Sequence, residues 1–262
     1  MNIDKEIYFI FKDKYGGKWN PKFLDDVRRL KSGEPTDYII NWTPFLDCKI
    51  DLRYRPLIPR TETEFWTERF IHKLKTKNLK LKTLKILDIF SGSGAIGIAI
   101  LKHIKNSKVD FAELDKNALK QIRLNLKINK IRPNRARVIY SNILENIKTK
   151  YDYILANPPY IATNNKKRVA KGVLKYEPQM ALWGGKDGLD IVRIFLKDAP
   201  RCLGNPSLSS KSSGHTFVPQ VWMEFDPGQK EKLHKLLVAN RYKLFTFHKD
   251  QFKRWRYLII ER

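Results

Sequence analysis

From Leu84 onward the chain alternates two hydrophobic rhythms. Short apolar runs (LKILDIF, KVDFAEL, RVIYSNI, YDYILAN, FVPQVWMEF) read as strands. Between them, apolar residues recur at helical spacing in AIGIAILKHI, NALKQIRLNLKIN, DGLDIVRIFLKDA (187–199) and GQKEKLHKLLVAN. Repeated strand–helix units of this kind predict an α/β chain, with a mostly parallel sheet covered by helices on both faces. KLFTFHKD and RWRYLIIER, joined only by DQFK, predict an antiparallel strand pair at one edge.

The first part of the chain has a different texture. Residues 1–45 read as a short helical segment: Phe23, Leu24, Val27 and Leu30 lie at helical spacing, and Gly33 and Pro35 end the run. LDCKIDLRYRPLIP (46–59) alternates apolar and polar residues, as a strand or hairpin linking to a main domain at 60–262 would. Thr61 or Thr63 is placed to cap a helix over 64–76, whose stripe of Phe65, Trp66, Phe70, Ile71 and Leu74 reads as core. GNPSLSSKSSGHTFVP (204–219) has the composition of a mobile loop.

Composition adds three limits. The chain has 262 residues, 42% of them apolar, enough for a sizeable core. Lys and Arg number 52 against 27 acids, a net charge of +25, which suits contact with polyanions or a place among them; solubility is the plainer account. Cys48 and Cys202 stand far apart, against a disulfide framework or a cysteine zinc site. No apolar stretch is long and clean enough to suggest a membrane span, and MNIDKEIYFIF lacks the pattern of a transit peptide. If the protein is imported into an organelle, this chain would be a processed or trimmed form.

DIFSGSGAIG (88–97) joins the first strand and helix of the alternating region. Gly92 and Gly94 let the backbone approach a ligand, with helix N–H groups behind them. Asp88 ends that strand, and Glu113 ends the next, where an acid commonly takes two ribose hydroxyls. Phe90 stands where a dinucleotide fingerprint has its first glycine, so an adenosine cofactor fits better than a dinucleotide. Asn142, after the third strand, is either at the adenine edge or a turn residue.

ILANPPY (154–160) ends the fourth strand. Pro158 and Pro159 fix two φ angles and remove two N–H donors. What remains is a rigid set of acceptors at a strand's carboxyl end. It suits a planar –NH2 group, one hydrogen going to Asn157 Oδ1 and the other to the Pro158 carbonyl. Tyr160 offers a flat wall for whatever carries that nitrogen.

NPPY after the fourth strand, with a glycine turn after the first, resembles class I S-adenosylmethionine-dependent methyltransferases, Rossmann-like enzymes that methylate planar nitrogens. RRLKSGEPTDYI (28–39), LIPRTETE (57–64), YEPQMALWGGKDGLD (176–190) and EFDPGQ (224–229) narrow the resemblance to the release-factor glutamine-N5 methyltransferase family, from about residue 28 to the end. The resemblance implies S-adenosyl-L-methionine as cofactor and S-adenosyl-L-homocysteine as product. The implied substrate is the glutamine of the GGQ loop of a peptide-chain release factor. It further implies that Asn157 and Pro158, with Pro159 and Tyr160, hold the glutamine amide. Glu113 would take the ribose, with Leu114 beside it, and Gly92 and Gly94 the methionine part. Arg60, Thr63 and Glu64 would lie at the site mouth. Three departures stand out: Phe90 replaces a usual glycine, Asn142 a usual aspartate, and the region before GEP is short against the family's helical N-terminal domain.

Such chemistry needs few ionisable groups. Two acceptors orient the amide lone pair, and in-line approach supplies much of the rate. No metal is expected, because His72, His103, His215, His234 and His248 show no ligand spacing. Two alternatives share some features: an adenine-N6 methyltransferase acting on DNA or RNA, and a non-catalytic basic RNA-binding protein using KLKTKNLKLKTLK (73–85) and KINKIRPNRARV (127–138). The chain is expected to be monomeric, with nucleic-acid contact not required. Its basicity and inserted loop resemble the organellar branch of the family, which places it in mitochondria.

Overall fold

A computed structural model describes residues 3–76, 83–208 and 216–262. Helices α1 (Ile3–Phe9), α2 (Lys22–Lys31) and α3 (Thr36–Ile40) open the chain, with a π-helical turn at Ile10–Lys14. A hairpin follows, β1 (Trp42–Phe45) and β2 (Cys48–Asp51), then helix α4 (Thr61–Thr76). Next come β3 (Leu84–Ile89), α5 (Ala95–His103), β4 (Ser107–Glu113), α6 (Lys116–Ile128), β5 (Ala136–Tyr140) and β6 (Tyr153–Ala156). The short helix α7 (Lys171–Tyr176) and α8 (Asp190–Cys202) lead to a minimal hairpin, β7 (Ser207–Leu208) and β8 (Thr216–Phe217). The chain ends with β9 (Gln220–Glu224), α9 (Lys230–Ala239), β10 (Leu244–Lys249) and β11 (Trp255–Glu261).

Seven strands form one sheet in the order β10-β11-β9-β6-β3-β4-β5. β9, β6, β3, β4 and β5 are parallel; β11 runs antiparallel to β9, and β10 to β11. This is the mostly parallel α/β sheet with an antiparallel edge pair that the rhythm of the sequence predicts, and the class I methyltransferase fold that the resemblance implies. The chain moves outward from β3 to β4 and β5, then returns to place β6 on the other side of β3. The carboxyl ends of β3 and β6 therefore flank a topological switch point, where open sheets take ligands.

The core lies on both sheet faces. Ile86, Phe111, Tyr153 and Trp222 pack under Trp66 and Phe70 of α4 and the apolar face of α5. Leu87, Ile154, Val221 and Leu258 pack against Phe195 and Leu196 of α8 and Leu233 and Leu237 of α9. α5 lies unusually close to the sheet because Gly97 faces β4: a Cβ there would sit 2.9 Å from Val109 Cγ1 and closer still to the Phe111 ring.

Several local expectations are corrected. The hairpin spans 42–51, earlier than 46–59, and the chain beyond Leu52 is irregular through Pro56 and Pro59. Its turn is Leu46-Asp47, both at positive φ (44° and 61°), a tight hairpin turn without the glycine or asparagine that would announce it. Thr61 and Thr63 cap nothing, since α4 already begins at Thr61. The helical 1–45 segment holds α1, α2 and α3, with α3 lying beyond Pro35 where the run is expected to end, and FVPQVWMEF breaks at Pro219 into β8 and β9. Both cysteines are buried free thiols. Of the 204–219 loop, residues 209–215, including His215, lie outside the described residues, as do 77–82 of the first basic run. No described helix is long and apolar enough to cross a membrane.

The hairpin is fastened to the main sheet through α6. Asn125 is fully buried; its Oδ1 accepts the Asp51 N–H (2.8 Å), and its Nδ2 donates to the Ser93 carbonyl of the glycine turn (2.9 Å). The close contact of α5 yields the first prediction. Gly97→Ala should destabilise the fold by ~1–3 kcal/mol through overpacking and lower the melting temperature by several degrees in a thermal scan.

Candidate functional site

The glycine turn wraps the carboxyl end of β3. Phe90, Gly92 and Gly94 all take positive φ (58°, 53° and 79°). For a residue with a Cβ this region costs about 1 kcal/mol, so Phe90 holds a strained backbone where glycine would sit freely. Its ring packs edge-on against Phe195 (centroids 6.0 Å apart), which offsets the strain. Gly92 leaves its backbone open: a Cβ there would meet no protein atom within 4 Å.

Glu113, at the end of β4, closes the turn from the side. Its carboxylate accepts the N–H groups of Gly92 (2.8 Å), Leu114 (2.7 Å) and Asp115 (2.9 Å). Burial raises its pKa above the ordinary value, and the three N–H donors oppose that rise. Together these elements border a cavity of about 340 Å³ lined by Phe90, Gly92, Glu113, Leu114, Asn142 and Asn157, among others. A carboxylate at the end of the second strand, an open glycine backbone and apolar walls from Ile89, Ile143 and Pro159 fit an adenosine-bearing cofactor.

A second hollow of about 930 Å³ opens on the other side of the NPPY segment, lined by Pro158, Tyr160, Arg168, Lys186, Gln229 and Arg256 among others. Among the described residues, Leu57, Arg60, Asn157 and Ala181 border both spaces. Asn157 is thus part of the wall between a cofactor-sized cavity and an outer groove.

The orientation of Asn157 is fixed from behind. Glu224, at the end of β9, is 1% exposed and receives three donors: Thr63 Oγ1 (2.7 Å), Trp66 Nε1 (2.8 Å) and Tyr160 Oη (3.0 Å). Asn157 Nδ2 donates in turn to Thr63 Oγ1 (3.3 Å). With the Thr63 proton donated to Glu224 Oε2, its oxygen can only accept from Asn157. The amide NH2 is held toward Thr63, and Oδ1 is left for the cavities. No described residue hydrogen-bonds Asn157 Oδ1 or the Pro158 carbonyl. Burial raises the Tyr160 phenol well above its ordinary pKa and the Glu224 carboxyl above its own, so Tyr160 stays a neutral donor.

The rigid prolines are braced by the WGGKDG turn. The Ile161 N–H donates to the Leu182 carbonyl (2.9 Å), and Gly184 N–H to the Ile161 carbonyl (3.0 Å). A Cβ on Gly184 would lie 2.5 Å from the Pro159 carbonyl, and one on Gly188 would collide with the Tyr160 carbonyl. Gln229 pins both sides, its Nε2 donating to the carbonyls of Tyr160 (2.8 Å) and Gly188 (3.1 Å). Arg60 reaches the rim, paired with buried Glu177 at 2.6 Å.

The structure therefore brings together Asn157, Pro158, Pro159, Tyr160, Arg60, Thr63, Phe90, Gly92, Glu113, Leu114 and Asn142. Gly94 caps α5 at the turn, its Cβ position facing Ile122 and Ile98 rather than the cavity. Two expected residues lie elsewhere. Asp88 is fully buried behind the turn, one oxygen accepting the Gly97 N–H (2.9 Å); burial holds its pKa well above the carboxylate range. Glu64 points away from the mouth, because Leu46 N–H in the hairpin turn claims its carboxylate (2.8 Å). Asn142 lines the cavity with one amide N–H donated to Glu145 (2.7 Å), which leaves Oδ1 and the second N–H open. Glu224, Gln229 and the brace glycines were not singled out as site residues, although they lie in the EFDPGQ and WGGKDG stretches that carry the family resemblance. Among the described residues no cluster of His, Cys, Asp and Glu could hold a metal ion.

Residues 61–203 match the family model described as methyltransferase small domain. A protein of Lactococcus lactis named release factor glutamine methyltransferase is 38% identical over 242 residues, covering 92% of this chain and 82% of that protein. One of Borreliella burgdorferi with the same name is 32% identical over 239 residues, covering 91% and 77%. Among solved structures, the human METTL16 catalytic domain in complex with an RNA hairpin superposes with a TM-score of 0.60 at 14% identity, covering 82% of this chain and 74% of that one. That likeness speaks for the fold alone.

The raised Glu224 carboxyl has a measurable sign. A carboxyl whose native pKa lies above its unfolded value stabilises the fold fully below about pH 4.5, and that contribution is lost as pH climbs through the native value. The unfolding free energy of wild type minus that of Glu224→Gln should fall as the pH is raised from about 4 to about 8 in urea titrations. A pH-independent difference would mean Glu224 titrates as an ordinary exposed acid.

Proposed function

Because the chain belongs to the release factor glutamine methyltransferase family, we propose that it methylates N5 of the glutamine in the GGQ motif of a peptide-chain release factor. S-adenosyl-L-methionine would be consumed and S-adenosyl-L-homocysteine released. One observation carries the catalytic detail: Asn157 Oδ1 and the Pro158 carbonyl lie, without partners among the described residues, at the wall between the 340 Å³ cavity and the outer groove.

The glutamine side chain enters from the groove. Its two amide hydrogens go to Asn157 Oδ1 and the Pro158 carbonyl, and its nitrogen faces the inner cavity. The Tyr160 ring walls the groove side, and Pro159 the cavity side. Glu113 accepts the ribose hydroxyls, and the open Gly92 backbone takes the methionine portion. The bound cofactor supplies a methyl group on an electrophilic sulfonium. An amide nitrogen is a poor nucleophile, since its lone pair is shared with the carbonyl. Two acceptors fix the amide plane and hold the nitrogen at near-attack distance, which supplies up to about 7–11 kcal/mol of the barrier reduction. As positive charge builds on the nitrogen, both oxygens face it and stabilise it. The surplus proton then leaves the methylated nitrogen for water. Tyr160 and Glu224 take no proton in this scheme; they hold the amide in place.

The basic composition and the inserted 204–219 segment support a mitochondrial location and an organellar release factor as substrate. Adenine in nucleic acid shares the planar –NH2 chemistry and is the competing substrate class.

Two measurements follow. Mass spectrometry of a GGQ-containing release factor incubated with the protein and S-adenosylmethionine should find one added methyl group on the glutamine. Asn157→Ala should lower kcat by ~10²–10³ with a much smaller change in cofactor Kd. Methylated adenine in a nucleic-acid substrate, with the release factor unmodified, would transfer the reading to the competing class. Fractionation of cells making the untagged protein should recover it with mitochondria; recovery in the cytosol alone would refute that location.

A further inference from the structure

Charge is distributed along the strand axis. At the carboxyl ends of the parallel strands the two signs are mixed: Glu113, Glu177, Asp187, Asp190, Glu224 and Asp226 lie close to the two cavities together with Arg60, Arg168, Lys186, Arg193, Lys232 and Arg256. At the opposite ends, where helices return to strands, bases predominate over the acids Asp110, Asp152 and Glu261. The connecting stretches 102–108, 127–137, 148–150 and 241–243 contain three, five, two and two Lys or Arg residues and no acid.

Helix C-termini favour cations through the helix dipole, which accounts for the bases in the last turns of α5, α6 and α8. It does not account for bases in the strands and loops beyond. Lys85 of β3 and Lys108 of β4 are direct register partners, two like charges side by side on neighbouring strands, an unfavourable placement for folding. The register continues to Arg135, one residue before the Val109–Ala136 pair. Arg135 is held by the backbone carbonyls of Ile104 (2.6 Å) and Ser107 (3.0 Å), so its charge is fixed in place and not neutralised by a carboxylate. Arg201 is anchored the same way on the Ile147 carbonyl (2.9 Å), and Lys150 Nζ reaches the Arg201 carbonyl (3.2 Å). Lys85, Lys105, Lys108, Lys130, Arg132 and Lys150 are exposed, and none is in an ion pair among the described residues. Two acids lie by this row: Asp110 is paired with Arg137, and Asp152 is buried, its carboxylate accepting the Lys85 backbone N–H (2.8 Å).

We propose that this face, at the amino ends of the parallel strands and remote from the crevice, binds the phosphodiester backbone of structured RNA. The row of unneutralised bases spans β6, β3, β4 and β5, matching an extended polyanion better than a single phosphate. A membrane surface would call for apolar side chains among the bases; the large exposed apolar residues are few here, chiefly Val238 and Leu244 toward the β10 edge. The choice of RNA over other polyanions rests on the proposed release-factor substrate, which works on the ribosome; the charge distribution itself does not depend on that reading. Bound this way, the protein would keep its catalytic face turned outward to an incoming protein substrate.

The test is fluorescence anisotropy of a labelled RNA stem of about 16 base pairs with the full chain. Wild type should bind at low salt and lose ~10³-fold in affinity between about 50 and 200 mM salt, as for six or more phosphate contacts. Lys105→Glu/Lys130→Glu/Lys150→Glu should bind at least ~10-fold more weakly while methylating an isolated release factor at the wild-type rate. Lys166→Glu/Lys167→Glu/Lys171→Glu, beside the outer groove, should bind RNA like wild type. No binding at low salt, loss confined to the groove variant, or tighter binding to phosphatidylserine vesicles than to RNA would each overturn the proposal. An enzyme that binds RNA as described but leaves the release factor unmodified would count against the proposed function and not against this face.

Discussion

The carboxylate of Glu224 is the point to which the catalytic end of the molecule is tied. It is buried, and three donors from two other segments converge on it: Thr63 and Trp66 from α4, and Tyr160 from the segment after β6. A carboxylate taken out of water is costly unless its lone pairs are filled, and one left unpaired by loss of a partner costs about 3–5 kcal/mol. That cost is what gives the arrangement its direction. The Thr63 hydroxyl must donate to Glu224, so it can only accept from Asn157, and so the Asn157 oxygen faces the cavities. The polarity of the site is set one hydrogen bond behind the group that uses it.

The same design recurs around the prolines. Pro158 and Pro159 cannot bond backward into a helix or ladder, so their position depends on what surrounds them. The WGGKDG turn lies against their carbonyl side with no room for side chains at Gly184 and Gly188, and Gln229 joins the two segments. Glycines here serve close backbone contact, whereas Gly92 serves an open backbone. The two uses cannot be told apart from residue type.

This limits what could be read from the chain alone. The sheet, its helices and the switch point were legible because parallel strands buried on both faces make continuous apolar runs that differ from helical spacing. Asn157 and the glycine turn were legible because their residue types are out of keeping with a strand end, and Glu113 because it ends the strand that follows the glycine turn, where an acid commonly takes ribose hydroxyls. Glu224 was not, since an acid closing the run QVWME looks like the surface end of a strand. Glu64 and Asp88 were misplaced for the converse reason: the sequence marks a carboxylate but not its partner, here a hairpin N–H and a helix N–H. The hairpin slipped because Leu46 and Asp47 make a left-handed turn without the usual residues.

The sequence separation of these contacts has a consequence for the chain as it is made. The parts bordering the inner cavity beyond the wall (glycine turn, Glu113, Asn142) are complete once β3 to β5 have emerged. The Asn157 wall is not, because Glu224 lies 161 residues after Thr63 and 64 after Tyr160. Synthesis runs from the amino end, so a nascent or C-terminally clipped chain would possess the nucleoside-sized cavity with its amide acceptor still free to rotate. Commitment to chemistry arrives last, with a strand that touches no reactant.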